Sequence, residues 1–263
     1  MVIIKIGGGE QINLQGIVSD LATYKGAFII VHGANHLRDQ LALQLGKPIQ
    51  SVTSLSGYSS VLSDQTLIDL QMMAYAGLRN KRLVELLQQN EIPAIGLTGL
   101  DGALIRARRN KGIKVLEDSR KRIIRDFSGK PLEVNTKLLN TLMNEGYIPV
   151  ITIPLIDENG VAVNSENDEV VALLQKSLNA EKVISFIEEG GYLADASDPT
   201  SVCTEVSMQQ LLAWESNATG RIRRKLRSII QLLNQETKAV ILSDGRVAHP
   251  LKAALQGNGT VFR

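Results

Sequence analysis

Two stretches near the N-terminus limit what this chain can fold into. "VIIKIGGG" (Val2 to Gly9) and "AFIIVHGANH" (Ala27 to His36) are short, β-branched apolar runs that end in small residues. Both read as strands. The pattern returns in "IPAIGLTG", "YIPVITIP", "EKVISFI" and "KAVILSDG", and the closing "GNGTVFR" reads as a last short strand. Helical segments lie between them: a stretch over about 12 to 23, "HLRDQLALQLG" with its Gly46 stop, "NTKLLNTLMNEG", "NDEVVALLQKSLNA", "SMQQLLAWES" and "GRIRRKLRSIIQLLNQ". The stretch from Ser63 to Glu91 predicts one or two helices with a break near Gly77, and "ALIRARRNKGIKVLEDSRKRIIRDF" alternates as hairpins do. Apolar strands alternating with helices predict an α/β protein whose mainly parallel sheet is covered on both faces. Ligands of such sheets bind beyond the carboxyl ends of the strands. Lys5, Gly7 to Gly9, His32 to Asn35 and the turn after Phe186 therefore become the positions of interest.

Composition removes several function classes. The formal net charge is +2 and aromatics are 4%, which argues against nucleic acid as a partner. No apolar run approaches the roughly 18 residues of a membrane span, and the N-terminal apolar stretch is too short for a signal peptide. The single cysteine, Cys203, allows no internal disulfide and fits a reducing cytoplasm; it reads as a packed residue. Against this near-neutral background, "GRIRRKLRS" concentrates Arg221, Arg223, Arg224, Lys225 and Arg227. Cations at the start of a helix oppose its dipole, so local stability does not account for them.

Four groups could carry chemistry. Lys5 lies inside an apolar strand, which is costly unless its ammonium reaches a polar site. Gly7, Gly8 and Gly9 separate a strand from a helix and would let backbone N–H groups approach phosphate oxygens. Their spacing is neither the dinucleotide fingerprint nor the P-loop, and a plain tight turn stays open. His32 ends a strand; with only His32, His36 and His249 in the chain, structural zinc is not expected, and His32 reads as a hydrogen-bonded turn residue. Asn164, Glu166 and Asp168 precede a helix, either as caps that complement its dipole or as a polar site that orients lysines.

Taken in order, these motifs resemble the amino-acid kinase family: Lys5 with its glycines, "VHGA", Asn164-Glu166-Asp168, and Gly220 through Lys225. Within that family the acetylglutamate kinases share them. "GLRNKRLVELLQ", "AIGLTGLDG", "GYIPVIT", "GRIRRK" and "DGRVAHPLKAALQGNGTVFR" bring the chain nearer to the carrier-protein-linked aminoadipate kinases of lysine biosynthesis. The resemblance covers essentially the whole chain. It implies a three-layer αβα sandwich around an open sheet of about eight strands, as one domain. Residues 1–180 or so would form the amino-acid-substrate lobe and about 181–263 the nucleotide lobe. It further implies a cytoplasmic homodimer that uses ATP and Mg2+ to phosphorylate the side-chain carboxylate of 2-aminoadipate or glutamate. That acceptor would hang from a small acidic amino-group carrier protein of the LysW type, in lysine or arginine biosynthesis.

Carried onto this sequence, the resemblance assigns catalysis to Lys5, Lys225 and Asp168, with no protein metal site. Substrate binding falls to His32, Gly33, Ala34, Val61 and Asn164, and nucleotide binding to Gly7, Gly8, Gly9, Glu188 and Gly191. Gly8 and Gly33 would offer backbone donors. Arg108, Arg109, Arg221, Arg223 and Arg224 would grip the carrier. Three positions depart from the family pattern. Val61 stands where a substrate-binding arginine is expected, Ala34 replaces a second glycine, and "FIEEGG" puts Ile187 and Glu188 at the polar positions of the nucleotide loop. These departures keep two rivals in view: an acetylglutamate kinase acting on the free small molecule, and a catalytically weakened homologue that docks the carrier.

Overall fold

The computed structural model describes residues 1–55, 59–117, 120–195, 197–218, 220–235 and 237–263, with the backbone alone at 59, 117, 220, 221 and 224. An eight-stranded sheet forms its middle layer. In chain order the strands are β1 (Val2–Ile6), β2 (Phe28–His32), β3 (Ala94–Thr98), β4 (Ile148–Thr152), β5 (Lys182–Ile187), β6 (Glu205–Val206), β7 (Ala239–Asp244) and β8 (Thr260–Phe262). Their spatial order is β6-β8-β7-β5-β1-β2-β4-β3. Only the β7–β8 pair is antiparallel; the other pairs run parallel. The expected αβα sandwich is therefore present. β1 is central, with β2 on one side and β5 on the other, so the chain direction across the sheet reverses at β1. Such a switch point opens a crevice at the strand ends.

Side chains of β1 alternate between two cores, as a pleated strand requires. Val2, Ile4 and Ile6, with Phe28 and Ile30 of β2, pack under helices α1 (Leu14–Thr23), α4 (Asn80–Gln89) and α9 (Pro250–Leu255). Ile3, with Ile29 and Val31, packs under α5 (Thr136–Asn144), α6 (Asn167–Leu178) and α8 (Gly220–Leu233). Lys5 shares the second face, where its register partners are Ser185 and Val31. The helices begin where short polar residues can cap them. Asn13 and Asn135 accept the N–H of Gly16 and Leu138, and Asp64 does the same for Leu67 at the start of α3 (Gln65–Gln71). Ser207 and Gln210 form a capping box on α7 (Met208–Asn217). Buried Asp20 on α1 accepts from the N–H groups of Leu251 and Lys252 and from His249, tying α1 to α9.

The predicted break near Gly77 does not occur. Between α3 and α4 the chain continues as a π-helical segment, Met72–Arg79. Its wider turns keep the helix running, with Tyr75 and Asn80 both buried. Beyond the carboxyl ends of β3 and β4, residues 105–109 and 129–134 pair antiparallel within a second, four-stranded sheet. Residues 113–117 and 120–124 form a separate hairpin. Among the described residues, no helix is long and apolar enough to cross a membrane.

Candidate active site

Three of the expected charges meet on the Lys5 face. The Lys5 ammonium donates to the Asp168 carboxylate in a very short contact. Asp168 sits in the first turn of α6, so it complements the helix dipole and pairs with lysine at once. Lys225 reaches the same place from α8 and lines a cavity of about 20 Å³ with Lys5, Asp168, Ser185 and Ser228. That volume holds about one water molecule. Burial alone would raise the Asp168 carboxyl, but the charge and hydrogen bond of Lys5, with the charge of Lys225, hold it below the ordinary value. Burial and repulsion from Lys5 lower Lys225, while Asp168 and Glu189 oppose that shift. The cavity lining thus gathers two cations around one anion, an arrangement suited to phosphate, with Glu189 acting on Lys225 from outside it.

The glycine loop after β1 lies against the loop after β2. A Cβ on Gly8 would fall 2.6 Å from the Asn35 nitrogen and 2.7 Å from that of Ala34. A Cβ on Gly33 would fall 3.0 Å from the Gly8 nitrogen. The loops touch backbone to backbone, and only glycine allows that approach. The expectation that Gly33 offers a free donor does not hold: its N–H is committed to the carbonyl of Ile6 at 2.9 Å. Gly7 likewise donates to Phe186 O. Gly8, Gly9 and Ala34 line a second cavity of about 200 Å³.

The His32 ring does not reach the Lys5 face. It is fully buried on the α4 face, opposite Lys5. Asn80 Nδ2 donates to both His32 Nε2 and Val150 O. Nε2 is thereby the acceptor, and Nδ1–H donates to Gly33 O. The ring is neutral: burial pushes its pKa down to about 3, with a further lowering from Arg79, against the opposing hydrogen bond to Gly33. It acts as the turn residue the local pattern suggested.

Asn164 is hydrogen-bonded to Ser63, two residues after Val61. Asn164 Nδ2 donates to Ser63 Oγ, and its Oδ1 accepts from Gln71 Nε2 at 2.7 Å. One amide hydrogen and one lone pair are thus engaged within the protein, and the second of each remains for a substrate. Val61 ends the short strand 59–61 and is half-buried. The motif reading passed over Asn167, the first residue of α6. Its Nδ2 lies 3.4 Å from where a Gly33 Cβ would be, and its Oδ1 is buried without a partner among the described residues. The signal for it was an asparagine directly before Asp168 at a helix start.

Glu188 lies on the glycine loop. Its Oε1 accepts the Gln11 N–H at 2.6 Å, and its carboxyl group covers Gly9. A carboxylate therefore holds a backbone donor at the loop expected to meet phosphate. Gly191 packs instead against Thr260 of β8, away from Lys5.

The expected carrier-gripping arginines divide. Arg108 is exposed. Arg109 is structural: its guanidinium lies 4.2 Å from the Phe127 ring centroid and its Nε donates to Asp126 O. Arg223 is half-buried, and its Nε and that of Arg227 donate to Glu215 Oε1 at 2.7 and 2.6 Å. These two tie α8 to α7 and are not free outward charges. The side chains of Arg221 and Arg224 lie outside the described residues.

Comparison with known proteins agrees with this architecture. The model of the amino acid kinase family matches residues 1–243. A LysW-aminoadipate kinase of Thermus thermophilus is 36% identical over 269 residues, spanning 100% of each chain. An acetylglutamate kinase of Gloeobacter violaceus is 30% identical, over 95% of this chain and 82% of its own. Among solved structures, N-acetylglutamate synthase of Neisseria gonorrhoeae superposes with a TM-score of 0.79 at 20% identity, over 99% of this chain and 58% of that one. That last likeness speaks to fold alone. With a family match over nearly its whole length and kinases among its relatives, the chain belongs to the amino acid kinase family and is a phosphotransferase.

Proposed function

We propose that the protein transfers the γ-phosphoryl group of ATP to the side-chain carboxylate of 2-aminoadipate or glutamate linked to a small acidic carrier protein of the LysW type. A carboxylate oxygen forms the new bond to phosphorus, the bond to the bridging oxygen breaks, and ADP and an acyl phosphate result. The observation that carries this reading is the Lys5–Asp168–Lys225 cluster beside the touching glycine loops. A carboxylate is already ionised at neutral pH, so the reaction needs no general base. It needs two anions held in line and the transferred charge neutralised. In this reading Lys5 and Lys225 supply the neutralising charge, and Asp168 holds Lys5 in position. Gly8 lets the backbone approach the transferred group, and His32 braces the second loop from behind. The lysine-lined cavity has room for about one water molecule, so phosphates would have to widen it toward the glycine loops. Magnesium would offset phosphate charge while held by the nucleotide itself; among the described residues no three acidic or histidine side chains gather to hold a metal.

The sheet suggests how the two substrates divide. Residues up to about 180 supply β1 to β4 and the later ones β5 to β8, with the lysine cluster at the junction. We assign the first part to the amino-acid substrate and the second to the nucleotide, within one domain. For the carrier, the favoured surface is the hairpin region, where Arg106, Arg108, Lys111, Lys114, Lys121 and Arg125 are exposed. The named activity of the Thermus relative supports that partner. The reading includes a cytoplasmic homodimer. Leu43, Met73 and Leu78 are exposed on helix α2 (Asn35–Gln44) and the π-helical segment, which pack together, and offer a second copy an apolar face.

The acetylglutamate kinase relative supports one alternative, phosphorylation of free acetylglutamate. A hydroxamate assay for acyl phosphate separates the two. With ATP and magnesium, product is expected with carrier-linked aminoadipate or glutamate and little with free acetylglutamate. The reverse preference would transfer the chain to the free-substrate class. Absence of product with every acceptor would leave a carrier-docking homologue.

A further inference from the structure

Arg79 ends the π-helical segment, between two fixed points. Just after it, Asn80 is buried and bonded to His32 and Val150. Before it, Tyr75 is buried and its hydroxyl donates to Asn35 at the start of α2. The backbone carrying Arg79 is thus clamped to the loop after β2. π-Helical turns of this kind recur at functional sites, where they re-aim a side chain.

Arg79 lines the 200 Å³ cavity, yet its Nε and Nη2 are buried with no hydrogen-bond partner among the described residues. It makes no ion pair among the described residues. Bare buried donors of this sort are uncommon and costly, and a charged one more so. Burial holds the guanidinium's pKa below its ordinary value. The other walls suit an anion. Gly8 and Gly9 contribute backbone, and Ala34 opens α2 with no side-chain cap, leaving the positive end of that helix dipole beside the cavity. Gln40 adds an amide. The one carboxylate on the lining, Glu10, is mostly exposed and lies 3.5 Å from His36 Nε2. This cavity shares no lining residue with the one around Lys5. Leu83 and Leu87, on the helix that continues from Arg79, pack on the α1 face of the sheet, opposite Lys5. Ala34 and Leu37 of the lining belong instead, with Tyr75, to the core on the Lys5 face, so the cavity sits beside the glycine loop where the two faces meet.

We propose that Arg79 anchors a second oxyanion site beside the glycine loop, which takes the carboxylate or phosphate group of a small ligand. The planar guanidinium matches both groups through two parallel hydrogen bonds. The site goes beyond the phosphoryl-transfer reading and does not depend on it.

Calorimetry on the full chain tests it, titrating inorganic phosphate, L-glutamate and L-2-aminoadipate separately at constant ionic strength. At least one should bind one-to-one, and Arg79→Met should weaken that binding about tenfold or more. Mg-ATP affinity, measured alongside, should stay within about twofold, since Arg79 lines no part of the cavity that holds Lys5 and Lys225. Binding of phosphate alone assigns the site to a phosphate ligand; binding of glutamate or aminoadipate assigns it to an amino-acid carboxylate. If none of the three binds, or if binding is equal in wild type and variant, the proposal is overturned. Should Arg79→Met not fold, Arg79→Gln carries the same comparison. Phosphoryl transfer is not the readout, so loss of the kinase reading would leave this result standing.

Discussion

Asp168→Asn is the most informative single change. The amide keeps the shape of the carboxylate and removes its charge, leaving Lys5 and Lys225 to face each other. Removing one partner of a buried ion pair costs about 3–5 kcal/mol. Here the Lys5 side chain is 17% exposed and that of Asp168 38%, so solvent screens part of the interaction. The expected loss of stability is about 1–3 kcal/mol at neutral pH. Its pH dependence has a definite sign. The folded-state pKa of Asp168 lies below the ordinary carboxylate value, against the effect of burial, because Lys5 and Lys225 favour the charged form. The carboxylate's contribution is therefore complete above the unfolded value of about 4. It disappears as pH falls through the lower folded value. Urea denaturation of wild type and variant at pH 7, and at steps below pH 4, measures this directly. The gap between the two should be widest at neutrality and should narrow in acid. In the same variant kcat should fall about 100-fold, with a smaller change in KM for ATP, since the proposed role is to orient Lys5. Equal stability at pH 7, or a gap that does not narrow in acid, would refute the electrostatic account.

Lys5→Ala and Lys225→Met should each reduce kcat about 100- to 1,000-fold in a coupled ADP-release assay, with circular dichroism unchanged. Lys225→Met should also hold or raise the urea midpoint, because burial and Lys5 both disfavour the charge it removes. Glu188→Gln keeps an acceptor for the Gln11 N–H and removes a negative charge from the glycine loop. It should tighten ATP binding about fivefold by calorimetry, the size of one like-charge repulsion at about 4 Å in water; weaker binding would mean that Glu188 assists the nucleotide. Arg108→Glu with Lys114→Glu should raise KM for the carrier-linked acceptor and flatten its salt dependence, while kcat stays near wild type. Unchanged carrier kinetics would remove the hairpin from the docking surface.

The sheet was legible because buried parallel strands are written as continuous β-branched runs, and this chain has few competing apolar runs of that length. The pairing of Lys5 with Asp168 was only half legible. Residue pattern alone left Asp168 as a helix-start acid, and the structure keeps that role and adds the ion pair. The local pattern read His32 as a hydrogen-bonded turn residue, and the face it takes needed register. Lys5 pairs with Val31, so His32 points to the opposite face, and a one-residue shift would have reversed that. The π-helical segment left no sequence signal beyond Gly77, since its course depends on Tyr75 and Asn80 finding partners on other elements. Arg79 was quoted within a motif, but its bare donors become visible only once the surrounding walls exist.

The cationic start of α8 follows from the same division of faces. Arg223 and Arg227 are four residues apart and lie on one side of the helix, as its pitch requires. There both meet Glu215 of α7, whose carboxyl group is held below its ordinary value by their hydrogen bonds. Lys225 belongs to another side, with Ile229 and Leu232, which line the Lys5 cavity beside it. One face is fastened to a neighbouring helix, and the other carries Lys225 inward past an apolar wall. The dipole's objection to cations at a helix start is thus answered for Arg223 and Arg227 by a carboxylate on α7. For Lys225, whose charge is opposed by burial and by Lys5 and favoured by Asp168 and Glu189, a phosphate group would supply the counter-charge that the protein only partly provides.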